Sequence, residues 1–333
     1  MTRFIVSFSI IFLGLAAGFL FIRLVKNAII PLGSDATERL RLALQRFALL
    51  VINPVIFCGA IWSLDLSDAR YFLLPIVGIS ALALGLALGF AGSKALKLPP
   101  DQAGVHITSA SFTNIGSIGG LVVFMLLGES AFALVPLYKV FEELFYYSVL
   151  FPVARSHSEK SNTSLASAEG RGPLFGILKV LRDPFFLVSV ASIAAGLGLN
   201  QSGLTRPAFY SPLNAALVPT GTFLLLFGVG MRLRFRIARK HMRGALLVLV
   251  GKMLVVPAGA LLLAWSLGLE RIPDGMGLKV VLILSMMPTA FLSLVSAAMF
   301  HLDEDYANSL WLASNGAIVL IVPLLATVLP LLG

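Results

Sequence analysis

The sequence predicts an all-α polytopic membrane protein with ten transmembrane helices. Three observations carry that expectation. Apolar runs long enough to cross a bilayer fill the 333 residues almost from end to end. Only 12% of the residues are charged, and mean hydropathy is +0.94. The runs are also solidly apolar, whereas a barrel strand alternates polar and apolar residues over about ten positions. A soluble domain of this length has no interior large enough for so much apolar surface, so the bilayer has to be part of the solvent.

The runs fall at 4–22, 43–61, 72–92, 103–127, 131–153, 184–199, 211–230, 244–268, 278–299 and 306–331. At a rise of about 1.5 Å, roughly 20 residues cover a hydrocarbon core of about 30 Å. The first run follows Arg3. It lacks a clear small-x-small cleavage site followed by a polar mature start and reads as a retained helix. The second contains Asn53-Pro54. The sixth is short at its polar end, and the fourth and tenth are long enough to tilt or break.

Lysine and arginine gather in alternate connections. Arg23, Lys26, Arg39 and Arg41 lie in the first, Lys94 and Lys97 in the third, and Arg232, Arg234, Arg236, Arg239, Lys240 and Arg243 in the seventh. The fifth is basic too, whereas the even connections hold little beyond Arg70, Arg206 and Arg271. The basic side faces the cytoplasm, which puts both termini outside, in the periplasm of a bacterial inner membrane. The net charge of +9 belongs to these loops. No basic residues interleave with aromatics in an RNA-binding pattern, so a nucleic-acid partner is not expected, whereas anionic lipid is a second use for the seventh connection.

No phosphate loop, His-Glu-x-x-His pair or nucleophile elbow occurs, and the four histidines match no zinc spacing. The sequence thus predicts no enzyme, no cofactor and no metal. Cys58, the lone cysteine, makes no internal disulfide and reads as a lipid-facing or packed small residue.

Residues 154–183 form the longest connection, a polar linker that leaves five runs in 1–153 and five in 184–333. An odd number of spans per half makes the second half enter from the opposite side, the arithmetic of an inverted-topology repeat. The fourth run of each half is interrupted at its centre. In one, three glycines and an amide occur within Asn114-Ile115-Gly116-Ser117-Ile118-Gly119-Gly120, preceded by Thr113. In the other, Pro288 and Thr289 follow Met286-Met287. Broken helices at matching places point to a transport site, where freed amides hold an anion or freed carbonyls a cation. Small-residue packing and a plain proline kink are the competing readings.

Polar groups inside the other runs are few. Asn53 faces the site or caps a kink. Asn308, Ser314 and Asn315 form a polar set in the tenth run, lining the site or bonding neighbouring helices. Lys139 and Glu142 share a face of the fifth run, and Lys252 lies in the eighth. Such charges need pairing or a wet cavity. Glu142 either carries a proton during transport or serves as the structural mate of Lys139. Lys279, near a span end, is expected to snorkel.

The sequence resembles the auxin efflux carrier family, the bacterial branch of carriers related to the plant PIN proteins. Asn114-Ile115-Gly116 with Gly128-Glu129 resembles its Asn-Thr-Gly segment and downstream Gly-Glu. Met287-Pro288-Thr289-Ala290 resembles its Met-Pro-Pro-Ala segment, and Asn53-Pro54, Arg182-Asp183-Pro184 and Gly228 through Leu233 follow its order. Ile115 stands where the family has Thr, and Thr289 where it has a second Pro. The resemblance implies ten helices as two inverted five-helix repeats, with helices 4 and 9 crossing as broken helices. It also implies scaffold and transport parts, elevator-like motion, often a homodimer, and a small organic anion such as malate, malonate or an auxin-like acid as cargo. Asn114, Thr113, Gly116, Ser117, Pro288, Thr289, Asn53 and Asn315 would then surround the substrate. H+ coupling through Glu142 and Lys139 stands beside Na+ coupling of the bile-acid-carrier type. A channel and a non-transporting regulator on the same fold are the other classes.

Overall fold

The computed structural model describes residues 2–66, 68–161, 181–233 and 238–332. Every regular element among them is helical. In chain order these are α1 (Thr2–Lys26), α2 (Ser34–Trp62), α3 (Ala69–Ala95), α4 (Pro100–Ser111), α5 (Ile115–Leu127), α6 (Glu129–Phe132), α7 (Leu134–Lys139), α8 (Glu142–Phe145), α9 (Phe151–Ser161), α10 (Pro184–Gln201), α11 (Tyr210–Gly230), α12 (Arg239–Ser266), α13 (Met276–Ser285), α14 (Leu292–Met299) and α15 (Glu304–Leu332).

Among the described residues seven helices are long and apolar enough to cross a membrane: α1, α2, α3, α10, α11, α12 and α15. Leu13, Leu20, Leu262, Trp265 and Leu320 on them stand exposed. Large apolar side chains turned outward along whole helices need lipid rather than water. The chain is a helical membrane protein.

The three remaining apolar runs are divided. Two of them, the fourth and ninth, were expected to break. In the fourth, the interruption lies at Phe112–Asn114, earlier than the glycines suggest. Gly116 and Gly119 instead lie in a π turn, Ile115–Gly119, that opens α5. The fifth run was expected as one helix over 131–153 and is segmented into α6, α7 and α8 before it continues through α9. Pro136 has no N–H for the Phe132 carbonyl and crowds it, and the regular helix is interrupted at Ala133, whose own amide still reaches the Glu129 carbonyl at 3.1 Å. A further correction concerns residues 154–161, expected as the start of the polar linker. They continue α9 as helix, with Ala154 and Ser158 buried. Residues 162–180 of that linker lie outside the described residues.

Prolines explain much of the local geometry. Three π turns, Ala48–Ile52, Tyr146–Leu150 and Gly251–Val255, each end two residues before a proline: Pro54, Pro152 and Pro257. A proline ring presses on the carbonyl four residues back, which here falls inside the widened turn. The long helices therefore pass their prolines without ending.

The helices group into two compact units. One unit comprises Met1–Ser67, Gly116–Pro136 and Pro184–Arg234; the other comprises Asp68–Ile115, Leu137–Asp183 and Phe235–Gly333. Within the first, α1 lies on α11 so closely that a Cβ at Gly18 would fall on the Phe227 carbonyl. The Asn200 amide of α10 reaches the Ile61, Trp62 and Leu64 carbonyls at 3.1, 3.0 and 2.6 Å, closing the C-terminal end of α2. Within the second, α3 offers Gly85 and Gly89 to the α4 backbone at Ala110 and Ile107. His106 of α4 and Tyr306 of α15 stack and share a 2.8 Å hydrogen bond between Nδ1 and the hydroxyl.

Candidate functional site

The two interrupted helices meet within the second unit. Phe112–Asn114 and the segment from Met286 to Phe291 pass antiparallel, with Thr113 opposite Thr289 as an isolated bridge. The Asn114 amide donates to the Pro288 carbonyl at 2.8 Å, and the Ala290 amide donates to the Phe112 carbonyl at 3.3 Å. Pro288 forces this geometry: it brings no amide of its own and pushes Met287 out of the helical region. Its carbonyl is thereby free to accept from the other segment.

Side chains close the remaining backbone groups. Thr289 Oγ1 donates to the Ser109 carbonyl at 3.0 Å, covering a carbonyl near the end of α4. From α15, Ser314 Oγ accepts the Thr289 amide at 2.8 Å, and Asn315 Nδ2 donates to the Thr289 carbonyl at 3.0 Å. Asn315 Nδ2 also lies 2.9 Å from the Trp311 carbonyl of its own helix. Buried backbone groups left unpaired at membrane depth would cost several kcal/mol each, on the order expected for transfer to hydrocarbon. Ser314 and Asn315 of the tenth run thus bind the crossing itself.

Tyr146 ties the crossing to the charged pair. Its hydroxyl accepts the Thr113 amide at 3.0 Å and lies 2.7 Å from Glu142 Oε1 and 3.0 Å from the Thr113 carbonyl. Glu142 Oε2 in turn is 3.3 Å from Lys139 Nζ. Glu142 is thus both partner of Lys139 and acceptor for a residue on the crossing.

On the other side sits Lys252, 2% exposed and carried on the π turn of α12. Its Nζ lies 2.8 Å from Thr113 Oγ1, 2.9 Å from the Phe112 carbonyl and 3.3 Å from the Ala110 carbonyl. The two carbonyls belong to the C-terminal end of α4, where the helix dipole is negative. Tyr146 and Lys252 were not among the expected site residues. The signals were in the sequence. Tyr146 follows Glu142 by four residues, one helical turn. Lys252 lies in a run, 244–268, that holds no acidic residue to neutralise it.

Thr113, Asn114, Pro288, Thr289 and Asn315 are therefore brought together in the second unit. Gly116, Ser117 and Asn53 belong to the first. There the Ser117 carbonyl accepts from Thr222 Oγ1 at 3.2 Å, and Asn53 is buried directly after the π turn of α2. The first unit has its own polar cluster, with Glu129 and Arg206 in connections and Ser211 and Asn214 in the seventh run. Arg206 Nη1 is 2.5 Å from Glu129 Oε1 and 2.9 Å from the Gly59 carbonyl, and Asn214 Nδ2 donates to Glu129 Oε1 at 2.7 Å. Ser211 Oγ is 2.9 Å from Glu129 Oε2. Burial alone would raise the Glu129 carboxyl; the hydrogen bonds from Arg206, Ser211 and Asn214 outweigh it and hold the carboxyl below its ordinary value.

Lys279, expected to snorkel, is half-buried and donates from its Nζ to the Asp274 carbonyl at 2.6 Å. Among the described residues no group of three or more His, Cys, Asp or Glu side chains is placed to hold a metal ion. No protein-family model matches the chain, and no curated protein matches it.

Proposed function

We propose that the chain is a secondary carrier of a small organic anion, a carboxylate of the malate, malonate or auxin-like kind, built on the ten-helix inverted repeat of the auxin efflux carrier type. The division into units supports the repeat. The first two long helices of each half, α1 with α2 and α10 with α11, fall in one unit, and the later runs of each half fall largely in the other. The same order of membership in both halves is what a duplicated, inverted block would give.

One observation carries the anion reading. Lys139 and Glu142 pair with each other beside Tyr146, whereas Lys252 is a charged side chain bonded directly to the crossing. A buried positive charge in a low-dielectric site raises the local concentration of anions. The amides of Thr113, Asn114, Thr289 and Ala290 already have protein acceptors. The carboxylate therefore belongs one step further, beside the Asn114 side chain. The unit that bears the crossing moves to open one side at a time, in a homodimer of the bacterial inner membrane with both termini periplasmic.

The test is uptake by purified protein in vesicles. The reading expects saturable uptake of a labelled mono- or dicarboxylate that accelerates in counter-flow. Asn114→Ala should lower it at least about tenfold while the protein stays folded, since losing one oriented hydrogen bond to an ion weakens binding by about 1.5–3 kcal/mol. Uptake without counter-flow would make the protein a channel. A folded protein with no uptake of any carboxylate would make it a regulator on a carrier fold.

A further inference from the structure

Hydrogen counting at Lys252 gives a result that does not depend on the cargo. The Phe112 and Ala110 carbonyls are acceptors only. The Thr113 hydroxyl donates its single hydrogen to the Ser111 carbonyl at 2.9 Å, so it too faces Lys252 as an acceptor. Three acceptors thus converge on one nitrogen, at 2.8, 2.9 and 3.3 Å. A neutral amine has two N–H groups and a lone pair, and that lone pair would point at an oxygen. Only the ammonium form, with three donors, satisfies all three.

The socket is also of a recognisable chemical kind. Two backbone carbonyls and a hydroxyl, at the negative end of a helix that stops in mid-membrane, are the oxygen ligands that unwound helices offer to small monovalent cations. Here the chain fills that socket with its own side chain, projected from the π turn of α12.

We propose that the Lys252 ammonium is a built-in cation of the crossing, standing where a free monovalent cation would otherwise bind, so that the two broken helices hold together without sodium or potassium. Removing the side chain should turn an internal ion into an external requirement. A small cleft, lined mostly by apolar side chains with His106 and Lys252 as its polar members, borders the position that the ammonium would vacate.

The experiment is thermal unfolding of the full chain in detergent at fixed ionic strength. The wild-type protein should show the same Tm in sodium, potassium and choline chloride. Lys252→Ala should unfold at least about 5 °C lower, as expected for a buried polar cluster stripped of its partner. Ammonium or propylammonium should restore most of that loss with saturable dependence. Tetramethylammonium, which has the charge but no N–H, should not restore it. Lys252→Met, which keeps the bulk but donates nothing, should be destabilised and resist every cation.

Several outcomes overturn the proposal: a wild-type protein stabilised by sodium over choline, a Lys252→Met protein as stable as wild type, or equal rescue by tetramethylammonium. A Lys252→Ala protein that no N–H cation or sodium restores, or that never folds in their presence, overturns it as well. A transport arm rests on the carrier reading: wild-type uptake should be indifferent to sodium, and Lys252→Ala uptake should require an added cation. Absence of wild-type uptake would sink the carrier reading alone, because the unfolding arm decides the socket by itself.

Discussion

Tyr146→Phe removes one oxygen and leaves the ring in its edge-on contact with Phe112, so it isolates the hydroxyl's contribution to the crossing. That hydroxyl has one hydrogen. The charged Glu142 Oε1 at 2.7 Å is the stronger acceptor than the Thr113 carbonyl at 3.0 Å, and the hydrogen goes there. The oxygen meanwhile accepts the buried Thr113 amide at 3.0 Å. The substitution therefore leaves one buried N–H unpaired, costing about 1–3 kcal/mol, and takes a bond from a carboxylate, about 1.5–3 kcal/mol. Interhelical bonds in membranes average lower, about 0.6 kcal/mol, because the unfolded chain finds partners too. A net loss of about 2–3 kcal/mol follows, read as a fall in Tm of roughly 3–4 °C for a chain of this length. Thermal unfolding in detergent measures it. A cycle with Glu142→Gln should give a coupling of at least about 0.5 kcal/mol, as for residues in one network. A Tyr146→Phe protein within 1 °C of wild type, taken here as about the scatter expected from a shift under 0.5 kcal/mol, would refute the reasoning that the hydroxyl joins the charged pair to the crossing.

Other outcomes follow from single features. Glu129 has its folded-state pKa below the unfolded one, so its contribution to stability is complete above the ordinary carboxylate range and is lost as pH falls through the depressed folded value. Glu129→Gln should flatten the acid limb of a Tm-against-pH curve, and an unchanged limb would remove the Arg206–Glu129 cluster as its cause. Gly18→Leu cannot be accommodated against the Phe227 carbonyl; α1 should detach from α11, with a loss of at least about 2 kcal/mol, seen as protease sensitivity of α1. Thr289→Val keeps the shape but loses the bond to the Ser109 carbonyl, which should cost about 1 kcal/mol in unfolding and leave the amide bond from Ser314 intact.

Much of this was legible in the sequence because apolar length and proline act locally. Seven of the ten runs are helices of membrane length, and the ninth breaks at Pro288 as a ring without an N–H requires. The glycines of the fourth run misled by a few positions. They permit close approach but do not force a break, whereas the bridge to Thr289 holds Thr113 and Asn114 out of the helix. The segmentation of the fifth run was hidden because Pro136 is flanked by residues that suit a helix. Lys252 was visible as a charge without a mate, but what it touches is set by α4, more than 130 residues earlier in the chain and beyond the reach of any local pattern.

The meeting of the two interrupted helices is tested most directly by a cross-link. Thr113→Cys and Thr289→Cys, placed together in a Cys58→Ser background, would occupy opposed positions of the antiparallel bridge. Opposed residues of such a bridge have Cα atoms about 4.5–5.5 Å apart, within the roughly 4.4–6.8 Å that a disulfide spans. Mild oxidation in the membrane should join the two peptides, as read by mass spectrometry after digestion. A folded protein that keeps both thiols free under conditions that oxidise exposed cysteines would contradict the crossing.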